Sequence, residues 1–145
     1  MRLVLQRVVR ARVEVGGEVV GAIGRGMLAL VGVEQKDDDA TVARAVEKLG
    51  ELRIFEDAAG KMNLAAHETG AAFLVVSQFT LAASLARGRR PSFDGAAPPA
   101  QAEPLIESLV AGLRRRGLEV ATGRFGARMD VALVNDGPVT FVLDV

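Results

Sequence analysis

Gly24-Arg25-Gly26-Met27-Leu28-Ala29-Leu30-Val31-Gly32-Val33 is the stretch on which the fold turns. Its first six residues fit the loose G-x-G-x-x-A dinucleotide pattern, which requires a helix directly after the glycines. The glycines lead instead into the apolar run 27–33, too short for a typical helix and suited to a buried strand. They are therefore read as a connection between strands, and a nucleotide site there is set aside. Upstream, residues 11–15 alternate, with Ala11, Val13 and Val15 apolar and Arg12 and Glu14 charged. Gly16-Gly17 and then Glu18-Val19-Val20 complete the pattern of a two-residue hairpin.

Downstream, Asp37-Asp38-Asp39 opens a helix whose apolar positions Val42, Ala45, Val46 and Leu49 fall at i, i+3, i+4 and i+7, with Gly50 near its end. Phe73-Leu74-Val75-Val76 is a second buried strand, running directly into Ser77-Gln78-Phe79-Thr80. Residues 86–100, rich in Arg, Gly and Pro, read as a surface loop. A second helix then tolerates Pro104 in its first turn, presents Leu105, Ile106, Leu109, Val110 and Leu113 on one face, and stops at Gly117. The tail has strand character at 131–134 and 139–145, separated by Asn135-Asp136-Gly137-Pro138. With no linker or repeat, the expectation is one strand-rich mixed α/β domain over residues 1–145, carrying two main helices.

Composition narrows the chemistry. The 145 residues are 50% hydrophobic, enough for one self-sufficient core, and 18 Lys+Arg balance 18 Asp+Glu, so no global field favours nucleic acid or membrane. Cysteine is absent, which removes disulfides, thiolate nucleophiles and cysteine metal sites. His67 is the single histidine, so a two-histidine metal site is impossible within one chain. It lies in a polar, loop-like stretch, no G-x-S-x-G elbow exists, and a solvated surface histidine is the favoured reading over a general base. The three aspartates lack the spacing of a calcium loop and are accounted for by helix capping. The first residues meet charge too soon for a signal-peptide core and no apolar run is long enough to span a bilayer, so a soluble cytoplasmic protein is expected.

Arginine outnumbers lysine 15 to 3. Arg87, Arg89 and Arg90 cluster in the loop, Arg114, Arg115 and Arg116 end the second helix, and Arg124 and Arg128 lie beyond it. These side chains suit phosphate and a local RNA-binding face, yet arginines ending a helix are also ordinary dipole partners, so both readings stand. Ser77-Gln78-Phe79-Thr80 places two hydroxyls and an amide where an apolar strand ends, a common place for reacting groups and for backbone N–H groups that bind an oxyanion. The alternative is a strand turning polar as it surfaces. Gly137-Pro138 is either a structural turn or a point where a missing N–H leaves carbonyls facing outwards.

At these two segments the sequence resembles the D-aminoacyl-tRNA deacylase family, also called D-Tyr-tRNA(Tyr) deacylase. Ser77-Gln78-Phe79-Thr80-Leu81 stands as its SQFTL signature and Asn135-Asp136-Gly137-Pro138-Val139-Thr140 as its NxGPVT signature. Gln6-Arg7-Val8, Arg53-Ile54-Phe55, Lys61-Met62-Asn63-Leu64, Arg90-Pro91-Ser92-Phe93 and Thr122-Gly123-Arg124-Phe125 agree as well. The resemblance covers the whole chain. It implies a homodimer with a barrel-like, mostly antiparallel or mixed sheet, two active sites at the subunit interface, and no cofactor, metal, DNA or membrane partner. The implied activity is hydrolysis of the ester joining a D-amino acid, or glycine, to the 3′-terminal adenosine of tRNA, with L-aminoacyl-tRNA rejected.

Carried over by residue, the resemblance implies that Ser77, Gln78, Phe79 and Thr80 line the pocket. It further implies that Gly137 and Pro138 form a cis peptide projecting into the partner's pocket, and that Arg7 supports that element. Carbonyls facing the α-carbon would admit hydrogen and exclude an L side chain. Thr80 is either a nucleophile or a positioning group; in the latter case backbone N–H groups near Phe79 hold the oxyanion and the ribose 2′-hydroxyl assists attack. The competing reading is a non-catalytic dimeric RNA-binding module.

Overall fold

The computed structural model describes residues 1–86 and 88–145, so Arg87 of the loop cluster lies outside the described residues. The polypeptide starts with a long strand, β1 (Arg2–Val15), whose alternation buries Leu3, Leu5, Ala11 and Val13. Gly16 and Gly17 both take positive φ (58° and 84°), the conformation that the expected two-residue hairpin needs, and β2 (Glu18–Ile23) returns antiparallel. β3 (Gly26–Gly32) is the buried run expected from the sequence, and it pairs antiparallel with the first half of β1.

α1 (Asp39–Glu51) comes next. Its Asp38 cap accepts a 2.8 Å bond from the Thr41 amide, and the Thr41 side chain closes a reciprocal capping box. Only Asp38 caps in this way. Asp37 is buried and accepts from the Glu34 amide at 2.7 Å and the Met1 amine at 2.6 Å, which capping alone did not anticipate. A short ribbon of β4 (Phe55–Glu56) and β5 (Met62–Leu64) precedes α2 (Ala66–Thr69), the short helix on which exposed His67 sits.

β6 (Ala72–Ser77) runs parallel to β3 and places Ser77 beside Val31. α3 (Pro99–Arg115) begins earlier than the sequence suggested, so residues 99 and 100 belong to a helix and Pro104 lies inside it, beyond the first turn. The proline is tolerated because it and Ala100, whose carbonyl loses an N–H partner, are both exposed. β7 (Val120–Thr122) joins β6 in parallel. The tail is one strand, β8 (Asp130–Asp144), rather than two, because both halves pair with β1 and only the register shifts between them.

The sheet order is β2-β1-β3-β6-β7, with β8 on the other side of β1. The backbone of Gly21 in β2 comes against that of Thr122 in β7, which curls the sheet almost into a barrel. Its interior holds Val8, Val13, Leu28, Leu74 and Val76. The outer face of β3 and β6 is covered by α1 and α3 through Leu49, Leu105, Leu109 and Leu113. The architecture is a mixed α/β fold in which two helices do nearly all the covering, as expected. No helix among the described residues is long and apolar enough to cross a membrane.

Candidate active site

β6 ends in a cleft. Its last ladder bond is donated by the Gln78 amide to the Val31 carbonyl at 2.8 Å, after which the chain tightens into a 3-10 turn over Phe79–Ala82. That turn can sit so close to β3 because position 32 is glycine: a Cβ there would come within 2.8 Å of Leu81 Cβ and 3.0 Å of the Gln78 carbonyl oxygen. The amides of Phe79 and Thr80 open the turn, where N–H groups have no acceptor within the helix, and Gln78 supplies no side-chain cap. The Gln78 side-chain amide instead donates to the Thr80 hydroxyl, fixing both polar groups relative to one another.

The cleft beside this strand end has a volume of about 510 Å³. Ser77, Gln78 and Phe79 line it together with Val33, Phe125 and Met129, giving a mostly apolar chamber with a polar lip. Phe79 is 56% exposed and its ring lies 5.2 Å from that of Phe93, itself 42% exposed. Two large apolar rings left in solvent at the mouth of a cleft form a contact surface. Val33 and Met129 were not anticipated from the sequence, since nothing separates an apolar wall residue from an apolar core residue before the fold is known.

Gly137 and Pro138 are elsewhere. The pairing of β1 with β8 runs to Val8 opposite Asn135 and resumes at Gln6 opposite Thr140, so residues 136–139 bow out across from Arg7 alone. The peptide bond between Gly137 and Pro138 is cis. Arg7 is almost fully buried beneath this excursion. It donates to the Ile54 carbonyl at 2.8 Å, to Glu56 Oε1 at 3.0 Å and to the Asp136 carbonyl at 3.1 Å. Asn135 closes the base of the bow by donating to the Arg7 and Val139 carbonyls, at 2.8 and 3.1 Å. Glu56 and Arg25, which reaches Asp136 Oδ2 at 3.7 Å, join this cluster without any sequence signal that marked them.

Within one chain the two segments do not meet. Asn135, Val8, Gly26 and Ala72 lie level at one end of the sheet, whereas Ser77, Val31 and Leu3 lie level at the other. Five residue steps along β6 separate those ends, roughly 16 Å. The structure therefore brings Ser77, Gln78, Phe79 and Thr80 together, brings Arg7 to Gly137 and Pro138, and keeps the two groups apart.

Among the remaining arginines, two at the end of α3 serve the fold: Arg114 donates to the Val120 carbonyl at 2.8 Å, and Arg116 reaches Glu51 at 3.6 Å.

Comparison with known proteins matches residues 4–144 to the family described as D-Tyr-tRNA(Tyr) deacylase. A D-aminoacyl-tRNA deacylase from Ectopseudomonas mendocina (strain ymp) is 59% identical over 145 residues, covering the whole of both chains. A solved structure of a c-Myc DNA unwinding element binding protein is 41% identical, with a TM-score of 0.94 over 100% of this chain and 99% of that one. A solved probable eukaryotic D-amino acid tRNA deacylase, 19% identical, shares the fold at a TM-score of 0.87 over 99% and 98% of the two chains.

Proposed function

Since the chain belongs to the D-Tyr-tRNA(Tyr) deacylase family, a family of hydrolases, we propose that residues 1–145 act as one domain that cleaves the ester joining a D-amino acid or glycine to the 3′-terminal adenosine of tRNA, and spares L-aminoacyl-tRNA. Such a substrate implies a cytoplasmic site of action. Water bonds to the ester carbonyl carbon, the bond to the ribose 3′-oxygen breaks, and that oxygen takes a proton. The products are the free amino acid and tRNA with its 3′-hydroxyl restored.

The observation that carries this reading is the division of the site. A cleft with a polar lip ends β6, and the buttressed Gly137-Pro138 bow stands at the opposite end of the same sheet. A second copy of the chain supplies the missing piece. Its Gly137 and Pro138 carbonyls then face the α-carbon of the bound ester, where hydrogen fits and an L side chain does not. Glycine, with no side chain, passes the same test. Arg7 holds the bow in shape from beneath, through its bonds to Asp136, Ile54 and Glu56.

Ser77 lines the cleft and Thr80 stands just outside its lining, tied to Gln78; no histidine, carboxylate or amine is among the residues described in that lining, so no general base there serves either hydroxyl. Oxyanion stabilisation then falls to the amides that open the 3-10 turn, and Gln78 and Thr80 orient substrate and water. The ribose 2′-hydroxyl assists the attack. Aminoacyl esters are labile, so placement and charge stabilisation suffice.

The test is hydrolysis of D- and L-aminoacyl-tRNA by purified protein at matched concentrations. Turnover of the D-ester, with the L-ester intact, is expected. Equal rates refute chiral rejection, and binding of tRNA without hydrolysis of either ester favours the RNA-binding module instead.

A further inference from the structure

A second cavity, of about 400 Å³, opens beside the candidate active cleft and shares Ser77 and Phe125 with it. It lies between α3 and the ends of β6 and β7, and nothing in the ester chemistry uses it. Ile106 contributes to an apolar floor. Glu103 and Glu107, one turn apart on α3, present carboxylates along one wall, and neither forms an ion pair among the described residues. Arg124 stands at the opposite side, exposed and, among the described residues, paired through a 3.8 Å contact to exposed Glu18.

This combination selects its occupant. Arg114 also lines the cavity but donates to the Val120 carbonyl at 2.8 Å, which leaves the two glutamates as acceptor-only groups facing the interior, and these favour a base whose edge carries hydrogen-bond donors. An apolar floor and the Phe125 ring give a base face a surface to lie on, as in other single-strand sites. A glutamate accepts well from the exocyclic amino group of cytosine, whereas uracil presents a carbonyl oxygen at the same position. Arg124 at the rim is placed for the phosphate that links this base to the next nucleotide.

Resting on the reading that the main cleft takes the terminal adenosine of tRNA, we infer that this adjoining cavity takes the cytidine immediately before it. In that arrangement Glu107 accepts from the cytosine amino group and Arg124 meets the intervening phosphate. The enzyme would then read two nucleotides of the acceptor end rather than one.

Binding of uncharged trinucleotides tests this without relying on catalysis. The wild-type protein is titrated with CCA and CUA, and Glu107→Gln with the same two. A preference for CCA of about tenfold is expected in the wild type, and near-equal affinities in Glu107→Gln, because a glutamine amide can turn to suit either base. Arg124→Ala should weaken both trinucleotides alike. Equal wild-type affinities, undetectable binding of both, or a preference that survives Glu107→Gln overturns the inference. Hydrolysis of D-aminoacyl-adenosine, which has no preceding nucleotide, is read in parallel. Its absence counts against the deacylase reading alone, leaving the CCA preference to stand or fall separately.

Discussion

Arg7 Nε meets Asp136 twice, at 3.1 Å on its carbonyl oxygen and at 3.2 Å on Oδ2, and so ties β1 to the one place where β8 leaves it. Its other two nitrogens bond to Ile54 and Glu56, which makes one planar fork the link between the bow and the 54–56 segment.

Truncating that fork should be costly because it strands buried acceptors. Arg7→Met is expected to lower unfolding free energy by about 2–4 kcal/mol. Arg7→Lys keeps the charge but not the geometry, so it should recover only part of that loss. Urea unfolding reads both, and an unchanged midpoint for Arg7→Met contradicts the role assigned to the fork. Both variants should also reduce discrimination between D- and L-esters.

Gly32→Ala should injure activity more than stability. The added Cβ meets Leu81 and the Gln78 carbonyl, so the 3-10 turn must shift to make room. A displacement on the order of 1 Å at groups that orient a reaction lowers rate by about 10²-fold. Steady-state kinetics beside a thermal melt separates the two effects; full activity would show that the turn need not sit where it does.

The two possible duties of Thr80 differ in size. As an orienting group, its loss in Thr80→Ala should lower kcat by less than roughly 10³-fold, whereas loss of a nucleophile exceeds that. A substrate ending in 2′-deoxyadenosine should be cleaved far more slowly by the wild type. Unchanged turnover of the deoxy substrate removes the 2′-hydroxyl from the mechanism.

Acid should weaken the α1 cap. The Thr41 amide, and after it the Thr41 hydroxyl, holds the Asp38 carboxyl below its ordinary value. The amide of Lys61 does the same for Asp57, and the Arg2 guanidinium for Asp144. Each is lower in the folded chain than in the unfolded one. Their contribution is therefore complete above the ordinary carboxylate range, about 3.9, and disappears as pH falls through the lower native values. Melting temperature should stay level between pH 7 and 5 on this account and drop below about 4. Asp38→Ala should lower it at pH 7 by on the order of 2–5 °C and make the acid decline shallower.

Much of the fold is legible in the sequence where one residue type has one physical use. Gly16-Gly17 marks the hairpin, Val42, Ala45 and Leu49 mark the buried face of α1, and the apolar run into Ser77 marks the strand that ends at the cleft. Legibility fails where partners are remote in sequence. Asp37 reads as part of a cap, but its partners include Met1, which only the closed fold brings near. Asn135-Asp136-Gly137-Pro138 reads as a break between two strands, yet β1 lies alongside and carries the ladder past it. Pro104 reads as a first-turn residue because propensity places a helix start just before it. The turn that precedes it is stabilised by tertiary burial of Ala102, which no local rule weighs.

The ends of one sheet also decide where genetic damage is felt. In the shared arrangement proposed, two-fold pairing completes both sites or neither, and each is assembled from the lip of one chain and the bow of the other. A substitution at Pro138 then harms the neighbour's chemistry while leaving its own chain's ester-binding end whole. One copy defective at Thr80 and one defective at Pro138 would together restore a single intact site, so two inactive alleles become partly active when expressed side by side.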